Sequence, residues 1–240
     1  LVAKGQGKGV LEIYHGSALA PGEDWLEFLN MLAGQAALAI DSATLFLELQ
    51  KMNSELGSAY NAVIESWSQA LEISGREDRE HIQNVVRITA QLAQHMGVGE
   101  DELVHLRHGA LLHDVGKMGI PDRILHNPGP LNDAEWEIIR DHPRLAHQML
   151  SVVTHLAPAL SIPLHHHEHW DGKGYPHGLY GEQIPLAARI FSVVDVYDAL
   201  TSMRPYRPAW TREQALEYIR SEAGKQFDPA VVKAFLQMVG

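Results

Sequence analysis

Cysteine is absent from the 240 residues. No disulfide framework and no thiolate zinc or iron–sulfur site can form, so a metal must be held by His, Asp and Glu, a donor set that suits Fe, Mn, Zn, Ni or Co. Positive charge is scarce as well: 19 Lys and Arg face 30 Asp and Glu, for a formal charge of −11. That balance argues against a general surface for polymeric nucleic acid, which draws on clustered cations. A small anionic substrate stays open, because metal ions and a few placed cations reverse the local sign. No unbroken apolar run reaches the roughly 18–20 residues that cross a bilayer, and Leu1-Val2-Ala3-Lys4-Gly5 lacks a signal-peptide pattern. A cytoplasmic chain with no membrane segment is the expectation. Internal repeats and low-complexity stretches are missing too.

What is present is an apolar fraction of 45%, enough for one large or two small domains with a sizeable core. Lys8 to His15 alternates at Val10, Glu12 and Tyr14 and predicts one strand, ended by Gly16 and Pro21-Gly22. The strand has no partner in the sequence, so it reads as the tail of a domain whose earlier part lies upstream. A helix is expected from about Asp24, its N-cap, with Leu26, Leu29, Leu32, Ala36 and Ala39 on one face. Leu45, Leu49, Met52, Leu56, Tyr60, Val63, Trp67 and Leu71 then recur at spacings of four, three, four, four, three, four and four. This near-heptad stripe fits a parallel coiled coil that makes a homodimer; an amphipathic helix packed on its own domain is the other reading.

Past Ser74-Gly75 and the charged run Arg76 to Glu80, the pattern is helical almost throughout. It covers His81 to His95, Asp101 to His113, Asp133 to Leu150, Leu186 to Met203, Thr211 to Ala223 and Pro229 to Met238. Glycine and proline break it at Gly119-Ile120-Pro121, Asn127-Pro128-Gly129-Pro130 and Gly172 to Pro185. The fold class is therefore all-α, with one long loop that carries chemistry.

Of the 15 histidines, all but His15 fall between His81 and His177. The densest stretch reads His165-His166-His167-Glu168-His169-Trp170-Asp171-Gly172-Lys173-Gly174-Tyr175-Pro176, imidazoles beside carboxylates ahead of a glycine-hinged loop. Glu77 and His81 are four apart and share a helix face, so both reach one ion; a carboxylate favoured by the helix dipole is the other reading of Glu77. His113 and Asp114 end the apolar helix Gly109-Ala110-Leu111-Leu112, and Asp195 lies in the apolar run Ile190 to Val194. A buried carboxylate costs several kcal/mol, of order 1–5, unless it is paired or bound to metal, so Asp114 needs a cation.

These residues resemble one family in their order and spacing. His81, then His113-Asp114-x-Gly116-Lys117, His142-Pro143, His166-His167-Glu168-x-x-Asp171-Gly172-x-Gly174-Tyr175-Pro176 and Asp195-x-x-Asp198-Ala199-Leu200-Thr201 look like the HD-GYP family of the HD phosphohydrolase superfamily. The likeness runs through residues 76–240 and includes Ala188-Arg189, Arg204-Pro205-Tyr206-Arg207 and Phe227-Asp228-Pro229. Departures fall at Asn84, Asn127 and Ala146, where the family commonly has Arg, Lys and Gly; none is a metal ligand. Residues 1–45, with Gly9 to Tyr14 and the helix through Leu32 to Ile40, resemble the last strand and helix of a GAF sensor domain. Residues 46–75 would be the helical linker.

The resemblance implies a bacterial phosphodiesterase that hydrolyses cyclic di-GMP to pGpG and onward to GMP. It implies two or three divalent ions, Fe first and Mn as the alternative. One ion would be held by His81, His113, Asp114 and Asp195, the second by Asp114, His142, His166 and His167, with Asp114 bridging and Glu77 extending the site to a third. Lys117 would hold a phosphate oxygen, and Tyr175, Asp198, Arg204 and Arg207 would meet the dinucleotide. For Tyr175 a purely structural role fits equally, and for the two arginines surface salt bridges do. His165 and His169 read as bystanders, and Glu168 and Asp171 as organisers of the loop. Two further readings stand beside this one: a catalytically idle module that binds the dinucleotide, and a hydrolase of another cyclic dinucleotide.

Overall fold

The computed structural model describes every residue except Leu19, Glu77, Pro128 and 204–207. The chain divides into two compact units, Leu1–Ala62 and Val63–Gly240.

In the first unit the strand expected over Lys8 to His15 does not form. The pairing lies earlier, in an antiparallel hairpin of β1 (Val2–Ala3) and β2 (Gln6–Gly7), turned by Lys4 and Gly5, both at positive φ. A strand needs a partner for its backbone groups, and the short Lys4-Gly5 turn supplies one that residues 8–15 lack. Asp41 is paired with Lys8 at 2.6 Å and Lys4 at 3.1 Å, so the hairpin is fastened to α1 (Glu23–Ile73). Within α1, Gly57 remains helical and Leu49, Met52 and Leu56 are 64–66% exposed. No unbroken apolar run of membrane length is present, yet α1 contains an 18-residue window of mean hydropathy 1.3 and is long and apolar enough to cross a bilayer by length and composition alone. Polar residues such as Gln35 and Asp41 divide its apolar stretch without ending the helix.

The second unit is helical, and its core explains the sequence pattern. Asp78 caps α2 (Arg79–His95) by accepting from the amides of Glu80 and His81, which fixes His81 in the first turn. α3 (Glu100–Leu111) stops before His113, so His113 and Asp114 lie in the turn that leads to a 3-10 helix, Val115–Gly119. After α4 (Asp122–Leu125), the single helix expected over Asp133 to Leu150 is two, α5 (Asp133–Arg140) and α6 (His142–Leu150). Pro143 lacks an amide hydrogen and tolerates only a first-turn position, so the break falls at Asp141 and His142 opens the new helix. A 3-10 segment Thr154–Leu160, α7 (Ser161–His165), α8 (Leu186–Thr201), α9 (Arg212–Ser221) and α10 (Pro229–Val239) complete the unit.

Val85, Leu92, Leu103, Leu106, Phe191, Val194, Ile219, Phe227 and Phe235 form one buried cluster that draws α2, α3, α8, α9 and α10 together. Arg189 of α8 meets Asp228, the N-cap of α10, at 2.6 Å and carries its ring neighbour Trp170 at 5.8 Å. The Ala188-Arg189 and Phe227-Asp228-Pro229 segments therefore serve architecture, holding α10 and the loop to α8.

Candidate metal centre

Three turns converge on one buried carboxylate. Asp114 is 6% exposed. Its Oδ2 is 2.6 Å from Lys117 Nζ and 3.0 Å from His113 Nε2, and its Oδ1 is 3.1 Å from His142 Nε2 and 3.8 Å from His166 Nε2. The close approach depends on Gly116: a Cβ there would lie 1.9 Å from the His142 carbonyl oxygen, so only glycine lets α6 rest on the Asp114 turn. Arg76 tightens the same turn by donating to the Lys117 carbonyl at 3.2 Å and pairing with Asp122 at 2.7 Å.

The imidazoles are held in one tautomer by their outer nitrogens. His113, His142 and His166 each place Nδ1 against a backbone carbonyl three or four residues earlier: Ala110 at 2.9 Å, Ile139 at 2.8 Å and Ile162 at 3.0 Å. A carbonyl only accepts, so each Nδ1 carries the proton and each Nε2 presents a lone pair inward. His142 Nε2 and His166 Nε2 then stand 3.3 Å apart, lone pair to lone pair. The buried Asp114 Oδ1 accepts no hydrogen bond at all. Lone pairs turned toward one another around an orphaned carboxylate oxygen are the arrangement a cation resolves.

The donors fall into two groups whose ligating atoms lie within 4.8 Å of one another: Asp114, His142, His166 and His167, and His81, His113 and Asp195. With Asp114 Oδ2 3.0 Å from His113, the second group also reaches Asp114. The residues present thus fit a divalent metal site, which these nitrogen and oxygen donors would hold. Glu77, Arg204 and Arg207 lie outside the described residues.

Burial sets the charge states. Desolvation pushes the Asp114 carboxyl up, but Lys117 and His113 outweigh it and hold it well below the usual carboxylate range. Asp195 is likewise desolvated, and its hydrogen bond with His81 together with the nearby His113 brings it below its ordinary value. Desolvation and neighbouring imidazoles drive His166 well below 6.5, and His167 to about 4. Asp114 and Asp195 are therefore anionic, and His166 and His167 neutral, at neutral pH, the forms that bind metal.

Asp198, which the resemblance implies would meet the dinucleotide, is placed against His81. It is 3% exposed, accepts from Ser202 Oγ and stands 2.7 Å from His81 Nδ1. There it orients the imidazole whose Nε2 lies 3.4 Å from Asp195. Spacing held the clue, since Asp195 and Asp198 are three apart on α8 and share a face.

The loop after His167 is built onto the centre. Tyr175 N donates to the His167 carbonyl at 3.1 Å, and the two rings stack with centroids 4.7 Å apart. Buried Glu168 accepts from the amides of His177 and Leu179 at 2.8 and 3.0 Å, and Asp171 accepts from Lys173 N at 3.1 Å. A Cβ at Gly174 would lie 2.2 Å from the His169 amide nitrogen, so this tight return needs glycine. The bond between Tyr175 and Pro176 is cis. Burial raises the Tyr175 phenol above its ordinary value, which keeps it neutral.

A helical bundle that closes two His/Asp donor groups over a shared aspartate defines the class, an HD-type metal protein. The chain belongs to the HD domain family, whose model matches residues 51–231. It is 36% identical over 208 residues to the "Cyclic di-GMP phosphodiesterase response regulator RpfG" of Xanthomonas campestris pv. campestris, covering 85% of this chain and 55% of that protein. It is 38% identical over 200 residues to a "Cyclic di-GMP phosphodiesterase" of Thermotoga maritima, covering 81% and 54%. It is 36% identical over 213 residues to "3'3'-cGAMP-specific phosphodiesterase 2" of Vibrio cholerae, covering 88% and 40%. The chain thus spans about half the length of the curated relatives it matches. Among solved structures, the V. cholerae cyclic GMP-AMP phosphodiesterase V-cGAP3 superposes with a TM-score of 0.55 at 22% identity, over 74% of this chain and 48% of that one, which shows the fold.

Proposed function

We propose that the chain is a metal-dependent phosphodiesterase that opens cyclic di-GMP to linear pGpG. The observation that carries this reading is the Asp114 centre: seven inward donors, a carboxylate oxygen without a hydrogen bond and Lys117 at its edge. Relatives named for cyclic di-GMP at 36–38% identity supply the substrate class. Iron, with manganese as the substitute, is the proposed metal on the donor set and the family resemblance.

Two divalent ions in such a site supply Lewis acidity and a water deprotonated near neutral pH. The chain's own residues do the rest. Asp114, Asp195 and the five imidazoles would set the geometry, and the lowered proton affinity of Asp114, Asp195, His166 and His167 keeps those four ready to ligate. Lys117, its side chain 22% exposed beside Asp114, turns Nζ to a non-bridging phosphate oxygen, where a cation gains most as charge develops. Tyr175, fixed on His167, walls one side of the cleft and limits water there.

Residues 76–240 are the proposed catalytic part and 46–75 the linker. The assignment of 1–45 to the end of a GAF-like sensor rests on the sequence resemblance alone, since the expected strand is displaced by the hairpin. The exposed part of the near-heptad stripe of α1, Leu45, Leu49, Met52 and Leu56, is proposed to pair with a second copy in parallel, as heptad spacing favours.

The test is direct. Purified without oxygen, the parent chain is expected to retain metal and convert cyclic di-GMP to pGpG, followed by chromatography, and Asp114→Ala to lose both. Full metal occupancy without turnover overturns the hydrolase reading. Faster turnover of 3'3'-cGAMP than of cyclic di-GMP would move the substrate to the class that another relative's name records.

A further inference from the structure

On the rim of the metal centre, α5 presents an indole that packing does not explain. The helix is short and rigidly started, with a reciprocal capping box between Asn132 and Glu135, and none of its residues is fully buried. Trp136 on it is 47% exposed. An exposed tryptophan forfeits the burial that makes the residue worth placing, and such a residue on a rigid support is the usual mark of a contact surface. One turn later comes Arg140, whose guanidinium lies 6.0 Å from the Trp136 ring and 5.8 Å from the Tyr175 ring. Tyr175 in turn stacks on the metal-ligand candidate His167. A continuous ladder therefore runs outward from the centre: His167, Tyr175, Arg140, Trp136.

We infer that Trp136 and Arg140 form the guanine subsite of this enzyme. The inference rests on the hydrolase reading above, and extends it to a specificity determinant that none of the metal-binding motifs contains. An aromatic face accepts any base by stacking, whereas a guanidinium fork matches the paired acceptors O6 and N7 of guanine, a pattern adenine does not offer. Tyr175 and Trp136 flank the guanidinium and restrain its plane, which lowers the entropy lost when it pairs with a base edge. The ladder begins at the ligand His167, so a base seated on it has its phosphate directed to the metal pair. Arg144, which donates to the Pro176 carbonyl at 3.3 Å, ties α6 to the same loop and keeps the ladder in register.

The experiment uses the metal-loaded chain and calorimetric binding of GMP, AMP and inorganic phosphate, with cyclic di-GMP turnover measured alongside. GMP carries the base and a phosphate but no diester, so binding is read without hydrolysis. The parent is expected to prefer GMP to AMP. Trp136→Ala should weaken GMP about ten-fold, the loss of one base–aromatic stack, and Trp136→Phe should restore most of it. Arg140→Ala should abolish the preference for GMP over AMP. Phosphate binding, which draws on the metal pair and Lys117 and on neither Trp136 nor Arg140, should follow the parent in all three. GMP affinity equal to the parent in both alanine variants overturns the subsite. So does an equal loss for GMP and phosphate, which marks damage to the fold. If the parent binds GMP with this selectivity but leaves cyclic di-GMP intact, the hydrolase reading falls while the subsite stands. Turnover with variants indistinguishable from the parent removes the subsite and leaves the hydrolase.

Discussion

At the scale of single residues, chemistry that is rare in its surroundings was readable in advance. A carboxylate after Gly109-Ala110-Leu111-Leu112 or after Ile190-Phe191-Ser192-Val193-Val194 has no reason to be there except a cation, and the structure brings both carboxylates to the His cluster. Direction was harder to read. Asp198 and Asp195 share a face of α8, yet the sequence does not say that Asp198 reaches back to His81 Nδ1. Arg140 escaped because its meaning lies in a ring 35 residues away, Tyr175. Two variants separate these roles. Lys117→Ala should lower kcat by about 10²–10³, the usual loss of one charge-stabilising donor, with metal content retained. Asp198→Asn should instead weaken metal binding about 10–100-fold, read by competition with a chelator, because the group that orients His81 is lost.

At the scale of elements, helices with strong periodicity were legible and their ends were not. The turn that carries His113 and Asp114 comes after α3 closes at Leu111, and the α5–α6 break follows from Pro143. Both corrections serve the site: a residue in a turn projects a donor along a line that a continuous helix denies it. The lone strand was misplaced because pairing is a property of two segments, and the partner came from residues 2–7. Glycine marks where elements touch. Gly116→Ala would set a Cβ 1.9 Å from the His142 carbonyl, pushing α6 from the Asp114 turn. A loss of about 1–3 kcal/mol in denaturant unfolding is expected, as overpacking costs, together with weaker binding of the ion held by His142.

At the scale of the whole molecule, charge and assembly set the conditions of function. Folding lowers the proton affinity of His166 and His167 below that of the unfolded chain, His167 from 6.5 to about 4. Between these values the unfolded state binds more protons, so stability rises with pH across this window and is lost as pH falls. Metal-free chain should show a denaturation midpoint that drops steadily from about pH 6.5 to pH 4, and metal should hold that midpoint up. Protons and metal compete for the same lone pairs.

Assembly has its own measurement. Leu49, Met52 and Leu56 replaced together by Gln should convert a dimer seen by solution scattering into a monomer. A parent chain that is monomeric, or that needs detergent to stay dispersed, would contradict pairing through α1. Shared ligation by Asp114 is the central claim, and metal titration into the metal-free chain tests it most directly. Cyclic di-GMP hydrolysis is predicted to stay near background through the first equivalent of metal and to appear during the second. Full activity at one equivalent, or none at saturation, would contradict it.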